Sequence, residues 1–121
     1  MLSKTHIFGF ENEEKVLPRL RKYFLDDTIE KINERYSVFD FTGDKKYIEL
    51  KSRTFPKSKY NTTIIGSNKL FEAKKLYNEG YDIYLCFSFT DGLYFWKYDP
   101  NVSVNTYQNN SYIPIDILMN M

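Results

Sequence analysis

The chain of 121 residues has one cysteine and one histidine. The lone Cys86 excludes a disulfide framework and any cysteine-based zinc site, and the lone His6 excludes multi-histidine metal sites. A Ser-His or Cys-His catalyst would have to rest on His6, which reads as an N-terminal surface residue. Cys86 sits in an apolar run and reads as a small buried hydrophobe. There is no GxxxxGK(S/T) and no GxGxxG, so the common phosphate-cradling loops are absent. No apolar run approaches the roughly 18 residues of a membrane span, and Met1-Leu2-Ser3-Lys4 opens no signal-peptide core. The expectation is a cytoplasmic or nuclear protein in a reducing compartment, with no membrane partner. Carboxylates and lysines remain for chemistry.

Apolar residues make up 42% of the chain and aromatics 18%, with 11 Tyr and 10 Phe. That composition buries a core, and the length suits one domain over residues 1–121. The net charge of +1 points to no partner, but its distribution is uneven. Residues 44–75 carry nine basic and three acidic side chains, a net of +6, while residues 76–121 carry one basic and five acidic. A polyanion would concentrate on the central segment, because phosphate contacts release counterions. The same charges also describe a solvated lysine-rich surface.

Val16, Leu17, Leu20 and Phe24 form one apolar stripe and predict a helix over 11–25, which Pro18 should kink or start late. Residues 28–33 suit a short strand. The runs 36–42 and 46–53 alternate around Gly43-Asp44 and predict a hairpin. Residues 54–66 read as a loop. A second helix follows over 67–79, with Ser67 or Asn68 at its cap and Gly80 at its end. The apolar run 81–89 predicts a central strand, and Asp91-Gly92 turns it into a strand over 93–98. A short strand or helical turn closes the chain at 112–119. The order α-β-β-β-α-β-β gives an α/β domain, a central mixed sheet flanked by helices.

On the predicted hairpin, Tyr47, Glu49 and Lys51 share one face and Ile48 and Leu50 the other. If Phe39 and Phe41 join the Ile48/Leu50 layer, then Asp40, Glu49 and Lys51 converge. Two neighbouring carboxylates repel unless a cation lies between them, and Mg²⁺ or Mn²⁺ is the natural occupant. Such an ion acidifies bound water and stabilises a phosphoryl transition state, and the lysine serves the water or the phosphate. The same residues also describe an exposed strand face with an ordinary ion pair.

With Asp40 in VFDFTG, Glu49-Leu50-Lys51 in YIELKSR and an acid in ENEEKVLPRL, the chain resembles the PD-(D/E)xK nuclease superfamily, and within it the small Holliday junction resolvase-like members. The resemblance covers roughly residues 9–98, with Phe39 where the family often has proline. It implies a restriction-endonuclease-like fold and metal-dependent phosphodiester cleavage of DNA. Asp40 and Glu49 would hold the metal with the Leu50 carbonyl as a further ligand, and Lys51 would assist the water. The first helix offers Glu13 or Glu14 to this pattern. At 100° per residue the centre of the apolar stripe falls close to Glu13, with Glu14 displaced by roughly a right angle and Glu11 on the far side. Glu13 would therefore complete the acidic shell.

Arg53, Lys57 and Lys59 follow the motif strand and could hold the DNA backbone. Lys69 stands where family members often carry a Lys or Gln that reaches the phosphate. Resolvase-like relatives act as two-fold dimers, so a homodimer is expected, with the strand 93–98 or the tail Ile113, Ile115, Ile117, Leu118 and Met119 at its interface. The rival readings are a non-catalytic nucleic-acid-binding or assembly protein on the same fold, and an interaction domain whose acids and lysines are surface pairs.

Overall fold

A computed structural model describes residues 4–34 and 37–121, with side chains from Asn12 onward. The side chains of His6 and Glu11, and Tyr36 at the head of the predicted 36–42 strand, lie outside the described residues. Helix α1 runs Lys4–Tyr23, longer than the 11–25 expected from its stripe. Val16 and Leu20 are buried, and Leu17 and Phe24 pack against the same cluster. Each such apolar side chain contributes about 1.5–3 kcal/mol when fully buried. Pro18 lies inside the helix and neither starts nor ends it. It sits on the exposed face, where the carbonyl it cannot serve meets water. The helix ends in a Schellman motif: Leu25 takes a φ of 50°, its N–H donates to Lys22 O, and the Asp26 N–H donates to Arg21 O at 3.0 Å.

Strands β1 (Glu30–Lys31), β2 (Phe41–Gly43) and β3 (Lys46–Ser52) follow. Next come a 3-10 turn at Lys57–Lys59 and strand β4 (Thr62–Gly66). Helix α2 (Ser67–Asn78) leads into β5 (Asp82–Phe89) and β6 (Gly92–Lys97). The chain closes with β7 (Asn105–Tyr107), β8 (Asn110–Pro114), a 3-10 turn at Ile115–Ile117 and β9 (Met119–Asn120). One six-stranded sheet has the order β1-β2-β3-β5-β6-β9, and a three-stranded sheet has the order β4-β8-β7. Among the described residues only β3 and β5 pair in parallel, and that pairing requires the crossover that α2 supplies. The class is mixed α/β with helices on a mixed sheet, as expected. The simple order α-β-β-β-α-β-β is corrected by β4 and by β7 to β9. The segment 54–66 is not all loop: Thr62-Thr63-Ile64-Ile65 is β-branched and pairs with β8, far along the chain. No helix among the described residues is long and apolar enough to cross a membrane.

The core has two layers. On the α1 side Val16, Leu20, Ile29, Phe41, Ile48 and Leu50 pack together. On the α2 side Ala73, Ile83, Leu85, Phe87 and Trp96 meet Ile65 and Ile113 of the small sheet. Phe39 and Phe41 do not share a layer as expected: Phe41 joins Ile48 and Leu50, while Phe39 crosses to the α2 side. The start of α2 also differs. Gly66 occupies the cap without a side-chain bond, and the Ser67 hydroxyl turns to Ser111 at 3.0 Å. Gly80 ends that segment at a φ of 99°, a conformation suited to glycine. Most of the apolar tail turns inward: Ile115 and Ile117 pack against the core, while Met119 is 60% exposed. Ile113 and Leu118 are buried, and β9 pairs with β6 through Tyr94–Asn120 and Phe95–Met119. The tail thus closes an edge of its own sheet.

Asp26 ties α1 to the β2–β3 hairpin. Its Oδ1 accepts the Thr28 N–H at 2.9 Å and the Thr28 hydroxyl at 2.5 Å. Its Oδ2 accepts the Asp44 N–H at 3.0 Å and the Lys46 ammonium at 2.6 Å. The turn passes so close that a Cβ on Gly43 would lie 2.7 Å from Asp26 Oδ2. Lys46, then Thr28, hold the Asp26 carboxyl well below the usual carboxylate range. A depressed folded pKa stabilises the fold above the unfolded value of about 3.9 and loses that contribution as pH falls. Asp26→Asn should therefore lower the urea midpoint most at pH 5 and above, with the gap to wild type closing below about pH 4. A gap independent of pH would show that the charge of Asp26 does not act.

Candidate active site

The site begins where β2 fails to extend. Val38 to Asp40 form a bend, and the strand starts only at Phe41. The Asp40 N–H still donates to Ile48 O at 3.0 Å, so the residue stays beside β3. Its carboxylate turns onto that strand, where Oδ2 accepts the Leu50 N–H at 2.8 Å. Strand alternation sends Ile48 and Leu50 into the α1 layer and Tyr47 into the α2 layer, with Glu49 on the Tyr47 side. Glu49 is only 2% exposed. Lys51 Nζ lies 3.7 Å from its Oε1 and Lys69 Nζ 3.2 Å from its Oε2. That Oε2 is buried and has no well-formed hydrogen bond. Lys69, at the start of α2, also donates to Val38 O, so its ammonium joins α2 to both the acid and the bend.

Helix α1 brings Glu13 to the same place. Its side chain is 17% exposed, against 59% for Glu14. Glu13 lies close enough to Asp40 for the two carboxyls to raise one another's cost of ionisation, and Lys31 of β1 pairs with Glu13 at 3.3 Å and with Glu14 at 3.6 Å. Next to Glu13 in the chain, the Asn12 amide donates to the Ser52 hydroxyl at 2.7 Å, fixing α1 against the end of β3. The structure thus brings Glu13, Asp40, Glu49, Lys51 and Lys69 together. Lys31, Asn12 and Ser52 join them unannounced by any motif, since each contact spans a long stretch of sequence.

Burial sets the electrostatics. Desolvation, reinforced by the Asp40 charge, pushes Glu49 up to about 8 against the pull of Lys69 and Lys51. Burial and then Asp40 push Glu13 up to about 7, opposed by Lys31. Three acids share this space with three lysines, Lys31, Lys51 and Lys69, so burial and the closeness of the acids to one another, not a shortage of cations, raise them. Among the described residues no group of three or more His, Cys, Asp or Glu side chains forms a ready metal cage. The donor set instead fits a hard ion held by two carboxylates, with water and main-chain oxygens completing its shell, as Mg²⁺ is commonly held. The observation that fits such an ion is the buried Glu49 carboxylate beside Asp40, its Oε2 met by the Lys69 ammonium at 3.2 Å without well-formed hydrogen-bond geometry.

The other basic residues are placed differently. Arg53 Nε donates to the Thr63 hydroxyl at 3.3 Å, and its Nη2 donates to Ile64 O, so it braces β4 against the end of β3. Lys57 lies over the Tyr94 ring at 4.5 Å. Lys59 lies 5.5 Å from the rings of both Phe55 and Tyr60. A groove of about 620 Å³ opens from Lys51 past Arg53 to Phe55, Tyr60, Ile64 and Asn110.

The raised acids make a testable pH dependence. A carboxyl whose folded pKa exceeds its unfolded value of about 4.3 stabilises the fold at low pH and loses that contribution as pH rises through the folded value. With a chelator present, the melting temperature should fall between pH 5 and pH 9, through the values of about 7 and 8 for Glu13 and Glu49. Glu49→Gln should flatten the fall and exceed wild type at the alkaline end. A wild-type profile that does not fall would show that burying Glu49 costs nothing.

Comparison with known proteins adds an independent line. No curated protein matches the chain. A family model described as "Phage putative PDDEXK endonuclease" matches residues 11–110. The matched span contains Glu13, Asp40, Glu49, Lys51 and Lys69 together with the whole β2–β3 hairpin and α2. Covering most of the chain, the match shows that the protein belongs to this phage PDDEXK endonuclease family.

Proposed function

We propose that the protein is a divalent-metal-dependent DNA endonuclease in which Asp40 and Glu49 hold the ion and Lys51 serves the attacking water and the scissile phosphate. The observation that carries this reading is the buried Glu49 carboxylate, set beside Asp40 and flanked by two lysines. Mg²⁺ or Mn²⁺, when bound, would supply Lewis-acid stabilisation of the phosphate and an acidified water. Asp40 is oriented in advance by the Leu50 N–H, and the Leu50 carbonyl is proposed as a further oxygen donor. Glu13, close beside Asp40, completes the acidic shell.

The two lysines divide their work by exposure. The Lys51 side chain is 38% exposed and can meet a phosphate arriving from solvent. Lys69 is largely enclosed and neutralises Glu49 from the α2 side. Lys57 and Lys59, with Arg53 behind them, supply the field that holds the DNA backbone. The resemblance to the small Holliday junction resolvase-like members favours branched DNA as the substrate.

Cleavage of branched, duplex and single-stranded DNA, each with and without Mg²⁺ or Mn²⁺, tests the reading. Cutting should require the metal, and Glu49→Ala and Lys51→Ala should each lower the rate by at least about a hundredfold. Their circular dichroism should stay that of wild type. Full activity in Lys51→Ala would remove the lysine from the chemistry. DNA binding without cleavage under any metal would make the chain a non-catalytic binding protein.

Assembly follows from the reaction. One site cuts one strand, so paired cuts across a branch need two copies of the chain. Light scattering at micromolar protein should give a dimer mass. A monomer mass would assign the protein to nicking or single-strand cleavage.

A further inference from the structure

The groove beside Lys51 has a composition that the cleavage reaction itself does not require. Its lining includes two cations, Lys51 and Arg53, and no carboxylate. Its walls are Phe55 and Tyr60 on one side and the β4 face around Ile64 on the other, with the Asn110 amide at the far end. A phosphate backbone alone would be held by basic and hydroxyl groups. An apolar wall serves a flat, weakly hydrated ligand.

Tyr60 is the suitable platform. It is 55% exposed and packs edge-on against Phe55, with ring centroids 5.2 Å apart at 88°. The Phe55 edge fixes one side of the ring and leaves aromatic surface to solvent. Lys59 stands 5.5 Å from both centroids and adds positive charge at the rim. The 3-10 turn at Lys57–Lys59 holds this corner, and the Lys57 N–H donates to Asp91 Oδ1 at 3.0 Å. Arg53 fastens the opposite wall through Thr63 and Ile64. The groove is therefore built before any ligand arrives, and it is continuous with the residue proposed to meet the scissile phosphate.

We propose that this groove takes an unpaired nucleotide of the DNA strand being cut, its base stacked on Tyr60 and its phosphates facing Lys51 and Lys59. The proposal rests on the nuclease reading and names its substrate class: DNA with a single-stranded segment next to the cut, such as an overhang, a flap or a branch point. Duplex DNA keeps its bases stacked on one another and cannot fill the groove without first releasing one. Stacking on an aromatic side chain accepts every base, so the preference is for strand structure and not for sequence.

The test uses the full chain with Ca²⁺ in place of Mg²⁺, so that binding is read without cleavage. The probes are a blunt duplex and the same duplex carrying a short single-stranded overhang with 2-aminopurine next to the junction. The overhang should bind about tenfold more tightly than the blunt duplex and should quench the 2-aminopurine fluorescence. Tyr60→Ala should lose both the preference and the quenching while binding the blunt duplex as wild type does. Tyr60→Phe should keep both. Equal affinity for the two probes, or unchanged quenching in Tyr60→Ala, overturns the stacking groove and leaves the nuclease reading standing if the blunt duplex is still cut with Mg²⁺. Failure of wild type to bind or cut either probe overturns both.

Discussion

A carboxylate buried between strands and a helix, next to a second carboxylate, is the constraint around which the rest of this fold is arranged. Glu49 is almost wholly removed from water, and its neighbour Asp40 makes ionisation harder still. A buried charge persists only with compensation, and here it comes from several elements. Lys51 reaches it from its own strand and Lys69 from α2. Asp40 is satisfied by a main-chain N–H of β3 and meets Glu13 from α1. Each element that touches the cluster is also an element of the core, so the fold holds the acids together against their mutual repulsion. Such carboxylates are held between the protonated and the ionised form, and on the nuclease reading a bound ion favours the ionised one.

The geometry of that cluster depends on contacts well away from it. α1 carries Glu13 near its middle, and its position against the β2–β3 hairpin is fixed there and just beyond its C-terminal end. Asn12 holds Ser52 on one side, and at the other Asp26 binds the β2–β3 turn through Asp44 and Lys46. The Schellman turn at Leu25 delivers Asp26 there, with Leu25 itself 91% exposed in a left-handed conformation that glycine would adopt more easily. Arg21 adds a bond from its Nε to Ile29 O, closing the same corner. Between these two anchors the helix has little freedom to rotate, and its apolar stripe decides which acid faces inward.

That stripe explains why the position of Glu13 was legible. Helical phase is a local property: Val16, Leu17, Leu20 and Phe24 all pack into one cluster, and the acid one turn before them turns the same way. Tyr47, Glu49 and Lys51 were legible for the same reason, because alternation along β3 is local. The division of Phe39 and Phe41 between layers was not. It depends on the bend at Val38–Asp40, and the bend is held by Lys69 and Ile48, residues distant in sequence. The pairing of β4 with β8 likewise joins segments nearly fifty residues apart, and Pro56 and the polar residues near it hid a β-branched run. Lys69 read as a phosphate ligand because its place at a helix start is visible in sequence, whereas Glu49 beneath it is visible only in three dimensions.

The small sheet gives the molecule its individuality. A parallel β3–β5 pair needs only a crossover helix, yet here the chain first leaves β3 through Arg53, turns at Lys57–Lys59 and lays down β4 before entering α2. The detour places β4 alongside the exit of the motif strand, and β8 returns from the far end of the chain to pair with it. Ile65 and Ile113 anchor this sheet in the α2-side core, while Thr62 and Ile64 on its other face turn outward along the groove. The acids and Lys51 sit on α1, the β2–β3 hairpin and the core beneath them. The surface beside them is assembled from the segment between β3 and α2 and from the C-terminal strands. The buried carboxylates and the groove between Lys51 and Tyr60 are therefore built by different parts of the chain, joined at the end of β3, so that on the proposed reading the chemistry and the grip on the DNA rest on separate elements.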